Sequence, residues 1–184
     1  MMKIHLVNVS DVDESMRMQL RMWRNSDAVS PFFLLDQVTE DQHQAWLERN
    51  IRGEDALACV IYADRVPLGL VYLPWFDRAA RRGEIGIYLY DRGFRELRPA
   101  SAAYARMMEL AATELELERL YARILENNAA SIRFHERMGF SHRFNCPLWL
   151  PCTARVAIWR SSVPAVLPPR LRRVMTPPAQ RWCW

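Results

Sequence analysis

Three arginines crowd the segment Asp91-Arg-Gly-Phe-Arg-Glu-Leu-Arg-Pro-Ala100, just ahead of a strongly helical stretch. A helix start offers unpaired N–H groups and a positive dipole end, and guanidinium groups add charge-assisted hydrogen bonds. Arg92, Arg95 and Arg98 there can cradle an anion such as phosphate. The other reading of the same residues is a solvated loop. Trp23, Arg24, His43 and Trp46 make a second constellation, in which aromatic faces with a guanidinium and an imidazole suit a nucleotide or sugar through stacking and phosphate pairing. Tryptophans at helical spacing also serve as core, and Phe32, Phe33 and Trp75 share that ambiguity. The cysteines at 59, 146, 152 and 183 have neither the paired spacing of a zinc site nor the density of a disulfide scaffold. They read as reduced thiols, and no metal site is expected.

The elements that carry these residues follow from periodicity. Lys3 to Val9 alternates as a strand, and Asp11 to Asn25 repeats Val12, Met16, Leu20 and Trp23 at helical spacing, with Ser10 or Asp11 as cap. Thr39, with Gln42 three residues on, is a capping box that opens a helix through Ile51. Ala56 to Ala63, Pro67 to Trp75 and Gly83 to Tyr90 are rich in Val, Ile, Leu and Tyr and read as an antiparallel meander, with Asp64-Arg65 in the first turn. Ala100 to Leu115 is helical, Arg119 to Glu126 a strand, and Asn128 to Met138 a helix ended by Gly139. Phe140 to Cys146 and Ala154 to Arg160 close the set as strands. The unit from Gly83 to Glu126 is a right-handed crossover that places two strands parallel. The expected fold is therefore α+β, a mixed, mostly antiparallel sheet of about six to seven strands flanked by about four helices. Ligands in such sheets sit beyond the carboxyl ends of parallel strands, where the arginine loop lies.

A chain of 184 residues is the size of one domain, and with 51% hydrophobic and 25% charged residues it buries an ordinary core. Its net charge of +4 sits in a tail, because Pro164 to Trp184 contains Arg170, Arg172, Arg173 and Arg181 and no acid. Residues 1–163 carry 21 basic and 21 acidic side chains, so the body shows no nucleic-acid-binding field. A domain of 1–163 and a Pro/Arg-rich tail of 164–184 are drawn at that change in composition; five of the eleven prolines lie in the tail and exclude a regular helix. Lys3 is the only lysine, an arginine bias that fits a GC-rich genome and identifies no partner. No stretch reaches the ~18 consecutive apolar residues of a membrane span, and Met1 to Ser10 lacks the build of a signal peptide, so a cytoplasmic protein is expected.

The block Leu120-Tyr-Ala-Arg-Ile-Leu-Glu-Asn-Asn-Ala-Ala-Ser-Ile-Arg-Phe-His-Glu-Arg-Met-Gly-Phe140 resembles, nearly residue for residue, the strand, Asn-x-x-Ser, helix and Gly-Phe block of the GNAT acyl-coenzyme A N-acyltransferases. Gly83-Glu-Ile-Gly-Ile-Tyr-Leu89 is similar to that family's fourth strand, whose backbone pairs with the pantetheine arm. Arg21-Met-Trp-Arg-Asn25 and Thr39-Glu-Asp-Gln-His-Gln-Ala-Trp46 look like the branch containing ribosomal-protein N-acetyltransferases and nucleotide-linked 4-amino-sugar N-acetyltransferases. The resemblance covers residues 1–161.

It implies transfer of an acetyl or short acyl group from acetyl-coenzyme A, as co-substrate, to a small-molecule primary amine by direct attack, with an amino sugar or nucleotide sugar as acceptor. Such a site must take a proton from the amine, stabilise an oxyanion and return a proton to the leaving thiolate. His135 falls where the family usually has the tyrosine that protonates the sulfur. An imidazole of ordinary pKa near ~6.5 serves there when charged or fed by water; as a bland alternative it is a helix-surface histidine. Glu84 is the internal carboxylate placed to take the amine's proton, or else an ordinary edge carboxylate. The resemblance gives the pantetheine amides to the backbone at Ile87 and Leu89, assigns Asn128 to the pantetheine or the helix start, and puts Ala100 and Ser101 beside the phosphates with Arg95 and Arg98. By the same likeness Trp23, Arg24 and His43 frame the acceptor.

The phosphate loop departs from the family pattern, since Arg95-Glu-Leu-Arg98-Pro-Ala100 has Arg98 at the first glycine and Pro99 in place of a donor. Either the guanidinium grips phosphate or its bulk closes the pocket. The fold then also admits an acyl carrier protein or aminoacyl-tRNA as donor, or a non-catalytic binding module. The tail's Trp182-Cys-Trp184 docks on a partner subunit in a homodimer, touches a membrane surface, or stays disordered.

Overall fold

The computed structural model describes residues 3–33, 37–90, 93, 99–145 and 156–162. The tail from 164 onward, the arginines at 92, 95 and 98 and the cysteines at 146, 152 and 183 lie outside the described residues. The elements run β1 (Ile4–Asn8), α1 (Glu14–Arg24), α2 (Glu40–Arg52), β2 (Leu57–Ala63), β3 (Val66–Asp77), β4 (Arg82–Leu89), α3 (Pro99–Thr113), β5 (Arg119–Leu125), α4 (Ala129–Arg137), β6 (Ser141–Asn145) and β7 (Val156–Ser162). A single 3-10 turn, Ser30–Phe32, lies between α1 and α2.

Local chemistry sets these ends. α1 starts later than expected because Ser10 and Asp11 are spent on the turn after β1, where the Ser10 amide donates to Asn8 Oδ1 at 2.9 Å and the Ser10 hydroxyl to Asp11 Oδ1 at 2.9 Å. Asp13 caps instead, its Oδ1 accepting from the Met16 amide at 2.8 Å. The expected capping box opens α2: the Gln42 amide donates to Thr39 Oγ1 at 3.3 Å and Gln42 Oε1 accepts from the Thr39 amide at 2.9 Å. Gly53 closes that helix at φ 67°, and Gly139 follows α4 at φ 89°, both in the left-handed region that glycine enters freely.

The strands form one seven-stranded sheet in the order β1-β2-β3-β4-β5-β7-β6. All neighbours are antiparallel except β4 and β5, which are parallel and joined through α3, as the crossover pattern requires. β3 is longer than its apolar run suggested, and its register with β4 shifts between Tyr72 and Trp75. Pro74 falls in that interval and has no N–H for the ladder. Both faces of the central strands are covered. On one face Ile85, Leu120, Ala122 and Ile124 pack with Tyr104, Met107 and Met108 of α3 and with Met138 and Phe140. On the other, Ala58, Val60 and Leu70 pack with Leu20 and Trp23 of α1, with Tyr72, Tyr88 and Tyr90 alongside. β4 therefore sends Ile85, Ile87 and Leu89 toward α3, and Tyr88 and Tyr90 toward α1.

Candidate active site

The parallel pair is short. β4 and β5 are in register only over Arg82–Arg119, Gly83–Leu120 and Glu84–Tyr121. Beyond that point β4 continues along β3 as far as Leu89–Gly69, and β5 continues along β7 as far as Leu125–Val156. The two strands part, and the edge of β4 that carries Ile87 and Leu89 borders the opening. α3, the helix that follows β4 in the chain, begins with Pro99, Ala100 and Ser101. Pro99 at the first position loses nothing to the helix, and the amides of Ala100 and Ser101 have no acceptor within α3. The backbone thus offers an unpaired strand edge and a free helix start, while Arg95 and Arg98 lie outside the described residues.

Glu84 stands at the apex, where pairing stops, and is 9% exposed. Its Oε2 accepts from Trp75 Nε1 at 2.9 Å and its Oε1 from Arg123 Nε at 2.8 Å. Both oxygens are oriented, and each keeps a lone pair for one more donor. Two residues along, Gly86 exists because of Tyr72: a Cβ at 86 would lie 2.6 Å from Tyr72 Cζ and 2.7 Å from its hydroxyl oxygen. The Tyr72 phenol therefore lies against β4 beside Glu84, and burial, then the Glu84 charge, push its pKa above the ordinary value.

His135 is buried at 4% exposure, not on the helix surface. Its ring meets Tyr104, Phe134 and Phe140 edge to face at centroid distances of 5.3, 5.3 and 5.4 Å. Nδ1 lies 2.8 Å from the Ser131 carbonyl oxygen, which can only accept, so the ring proton sits on Nδ1. Nε2 is buried without a partner among the described residues. Burial lowers the pKa to about 4, against a smaller opposing effect of the Ser131 bond. At neutral pH this histidine is uncharged, and its Nε2 accepts hydrogen bonds; it holds no proton there to give to sulfur.

Asn128 caps α4, its Oδ1 accepting from the Ser131 amide at 3.0 Å. The acceptor-side residues divide. Trp23 stacks on Tyr90 at 4.2 Å and 6°, and the Arg24 guanidinium lies 3.8 Å above the Phe33 ring, which meets Tyr88 edge to face. Trp23 and Arg24 thus share the Glu84 face of β4. His43 is used elsewhere: its Nε2 is 2.7 Å from the Arg17 carbonyl oxygen and its ring stacks on Trp46 at 5.5 Å, tying α2 to α1. Burial, chiefly, lowers its pKa.

The GNAT acetyltransferase domain family matches residues 3–141. The chain belongs to the GNAT acetyltransferases. It is thus an acyltransferase, and GNAT enzymes use acetyl-coenzyme A. No curated protein sequence matches it. Solved structures share the fold. The spermidine N-acetyltransferase from Vibrio cholerae in complex with CoA and spermine is 14% identical with a TM-score of 0.75, covering 87% of this chain and 95% of that one. The Campylobacter jejuni N-acetyltransferase PseH is 11% identical with a TM-score of 0.64, covering 86% and 97%. RimL, a ribosomal L7/L12 alpha-N-protein acetyltransferase in complex with coenzyme A, is 15% identical with a TM-score of 0.72, covering 87% and 94%.

Sequence reading did not single out Tyr72, Tyr88, Tyr104 and Arg123, which lie beside Glu84 or His135 in this candidate site. A signal was present for Tyr88: it and Tyr90 alternate with Ile87 and Leu89, so they share the face of Glu84. Nothing in spacing brings Arg123 to Glu84, a contact 39 residues apart. Among the described residues no group of three His, Cys, Asp or Glu side chains converges to hold a metal, and no helix is long and apolar enough to cross a membrane.

Proposed function

We propose that this acetyltransferase moves an acetyl, or similarly short acyl, group from acetyl-coenzyme A to a primary amine carried by a sugar or nucleotide-linked sugar. One observation carries the donor half of the reading: β4 and β5 separate beyond Glu84–Tyr121, which opens a slot lined by strand backbone, and the helix that follows β4 offers a free start. An extended thioester arm with amides suits such a slot, since main-chain groups at Ile87 and Leu89 can pair with it as another strand would. The α3 amides at Ala100 and Ser101 are then available to phosphate oxygens. Asn128 contributes by fixing the start of α4 at the far wall.

The acceptor half rests on the opposite face. Glu84, held by Trp75 and Arg123, is the base that takes the proton from the attacking amine, directly or through one water. The amine must arrive as the free base, and attack at the thioester carbonyl needs no covalent intermediate with the enzyme. Trp23, Tyr88, Tyr90 and Phe33, with the Arg24 guanidinium among them, make an aromatic wall suited to stacking and to a phosphate-bearing acceptor. Structures of the same fold are named for acceptors as different as spermidine and a ribosomal protein N-terminus, and a guanidinium in the wall disfavours a polycation. His43 has no part in this reading.

The test is thiol release from acetyl-coenzyme A by the full chain with four amines: a nucleotide-linked amino sugar, the free amino sugar, spermidine and a peptide with a free N-terminus. Release dependent on amine and fastest with the nucleotide-linked sugar is expected. Release with spermidine as fast as with any sugar overturns the acceptor assignment, and release independent of all amines overturns the whole reading.

A further inference from the structure

Collapse of the tetrahedral adduct breaks the C–S bond and leaves the electron pair on sulfur, so a proton must reach the thiolate. The group expected to deliver it, His135, carries its proton on Nδ1, bonded to the Ser131 carbonyl, and offers sulfur only a bare Nε2. A different proton lies within the same cluster. Tyr104, in the second turn of α3, is fully buried at 0% exposure, and its hydroxyl has no hydrogen-bond partner among the described residues. A buried hydroxyl left unsatisfied is destabilising to the fold unless something else meets it. Its ring stands perpendicular to His135 at 5.3 Å and to Phe134 at 5.2 Å.

The position suits the leaving group. Tyr104 lies on the helix that follows β4 and His135 on the helix that follows β5, so their contact links the elements on either side of the gap. Two groups from the other face of the sheet act on the Tyr104 hydroxyl: the Tyr72 phenol, which lies over Gly86, and the Glu84 carboxylate.

We propose that Tyr104 is the catalytic acid, its hydroxyl donating the proton to the departing coenzyme A sulfur. The proposal rests on the acetyltransferase reading above. The balance closes. The amine nitrogen bonds to the acyl carbon and loses a proton to Glu84, the C–S electrons go to sulfur, sulfur takes the Tyr104 proton, and the proton held by Glu84 returns to the phenolate by way of Tyr72 or water. Enzyme protonation is the same before and after. Burial and the Tyr72 and Glu84 groups raise the Tyr104 pKa well above the ordinary phenol value, so the proton is present throughout the working range. Desolvation raises the proton affinity of a buried thiolate likewise, as the buried Cys59 thiol, pushed up to about 12, illustrates in this chain.

Two measurements on full-length Tyr104→Phe test this. Binding of coenzyme A is compared with that of desulfo-coenzyme A, and turnover is measured with the best amine. The wild type is expected to bind coenzyme A about 2- to 10-fold more tightly than the desulfo compound, the scale of one hydrogen bond, and Tyr104→Phe to bind both alike. Turnover should fall about 100-fold or more with the KM for donor unchanged and the melting temperature unchanged or higher, because the lost hydroxyl has no partner among the described residues. A merely structural tyrosine would leave kcat intact. Wild-type discrimination that survives in Tyr104→Phe, no discrimination by the wild type, or turnover within about threefold of wild type overturns the proposal and leaves the transferase reading standing. Failure of the wild type to bind coenzyme A at all overturns both.

Discussion

Replacing His135 with glutamine should flatten the acid limb of the protein's stability curve. The unfolded imidazole takes up a proton near the ordinary value of 6.5, whereas the buried ring resists until about 4. Between those values the unfolded chain binds a proton that the folded chain does not, so acid favours unfolding. Stability from this group is fully present above pH 6.5 and is lost as pH falls toward 4. With those two constants the loss between about pH 7.5 and about pH 5 is about 2 kcal/mol. Urea unfolding of wild type and His135→Gln at both pH values gives a difference of differences in which other groups, His43 included, cancel. The variant's absolute stability does not enter. A pH dependence equal in the two proteins to within about 0.5 kcal/mol would show that the ring is solvated or charged in the fold, and would remove the argument that it cannot act as the acid.

Three further outcomes follow from the packing around Gly86, Asn128 and Glu84. Gly86→Ala places a methyl 2.6 Å from Tyr72 Cζ, so the phenol must swing off β4; overpacking of this kind costs about 1–3 kcal/mol, and chemical denaturation together with a lowered kcat registers it. Asn128→Ala removes the α4 cap that bonds the Ser131 amide, and should lower stability by about 1 kcal/mol while raising the KM for acetyl-coenzyme A by a small factor. Glu84→Gln keeps the shape of the apex but removes the base, and turnover should fall by about 100-fold or more with donor binding, followed by calorimetry, unchanged. Full activity in Glu84→Gln would dismiss the carboxylate as base.

The fold was legible because its signals are local. The Thr39–Gln42 capping box, the stop at Gly139 and the three-strand meander are each written within a few residues, and the parallel pair follows from a strand, a helix and a strand in succession. The start of α1 was misread because Ser10, Asp11 and Asp13 are all competent caps, and the choice was made by Asn8, whose side chain claims the Ser10 amide. For the site, Glu84 was recognisable by its place in a strand, yet its hold by Trp75 and Arg123 is tertiary. The burial of His135 was visible in principle, since Ile132, His135 and Met138 fall at helical spacing, but the pull of the aligned family position drew attention to its chemistry instead of its surroundings. His43 illustrates the opposite case: an imidazole expected to frame the acceptor that a neighbouring carbonyl has already claimed. An unpartnered hydroxyl such as that of Tyr104 leaves no trace in sequence, because it is defined by what is absent around it in three dimensions.

The central claim is that the parting of β4 and β5 receives a thioester carrier, and a crystal structure of the protein grown with acetyl-coenzyme A tests it most directly. The account predicts pantetheine lying between the two strands, its amides bonded to main chain at Ile87 and Leu89 and its sulfur within hydrogen-bonding reach of the Tyr104 hydroxyl. Density for the carrier elsewhere on the surface, with side chains of the protein itself closing the space between β4 and β5, would contradict it.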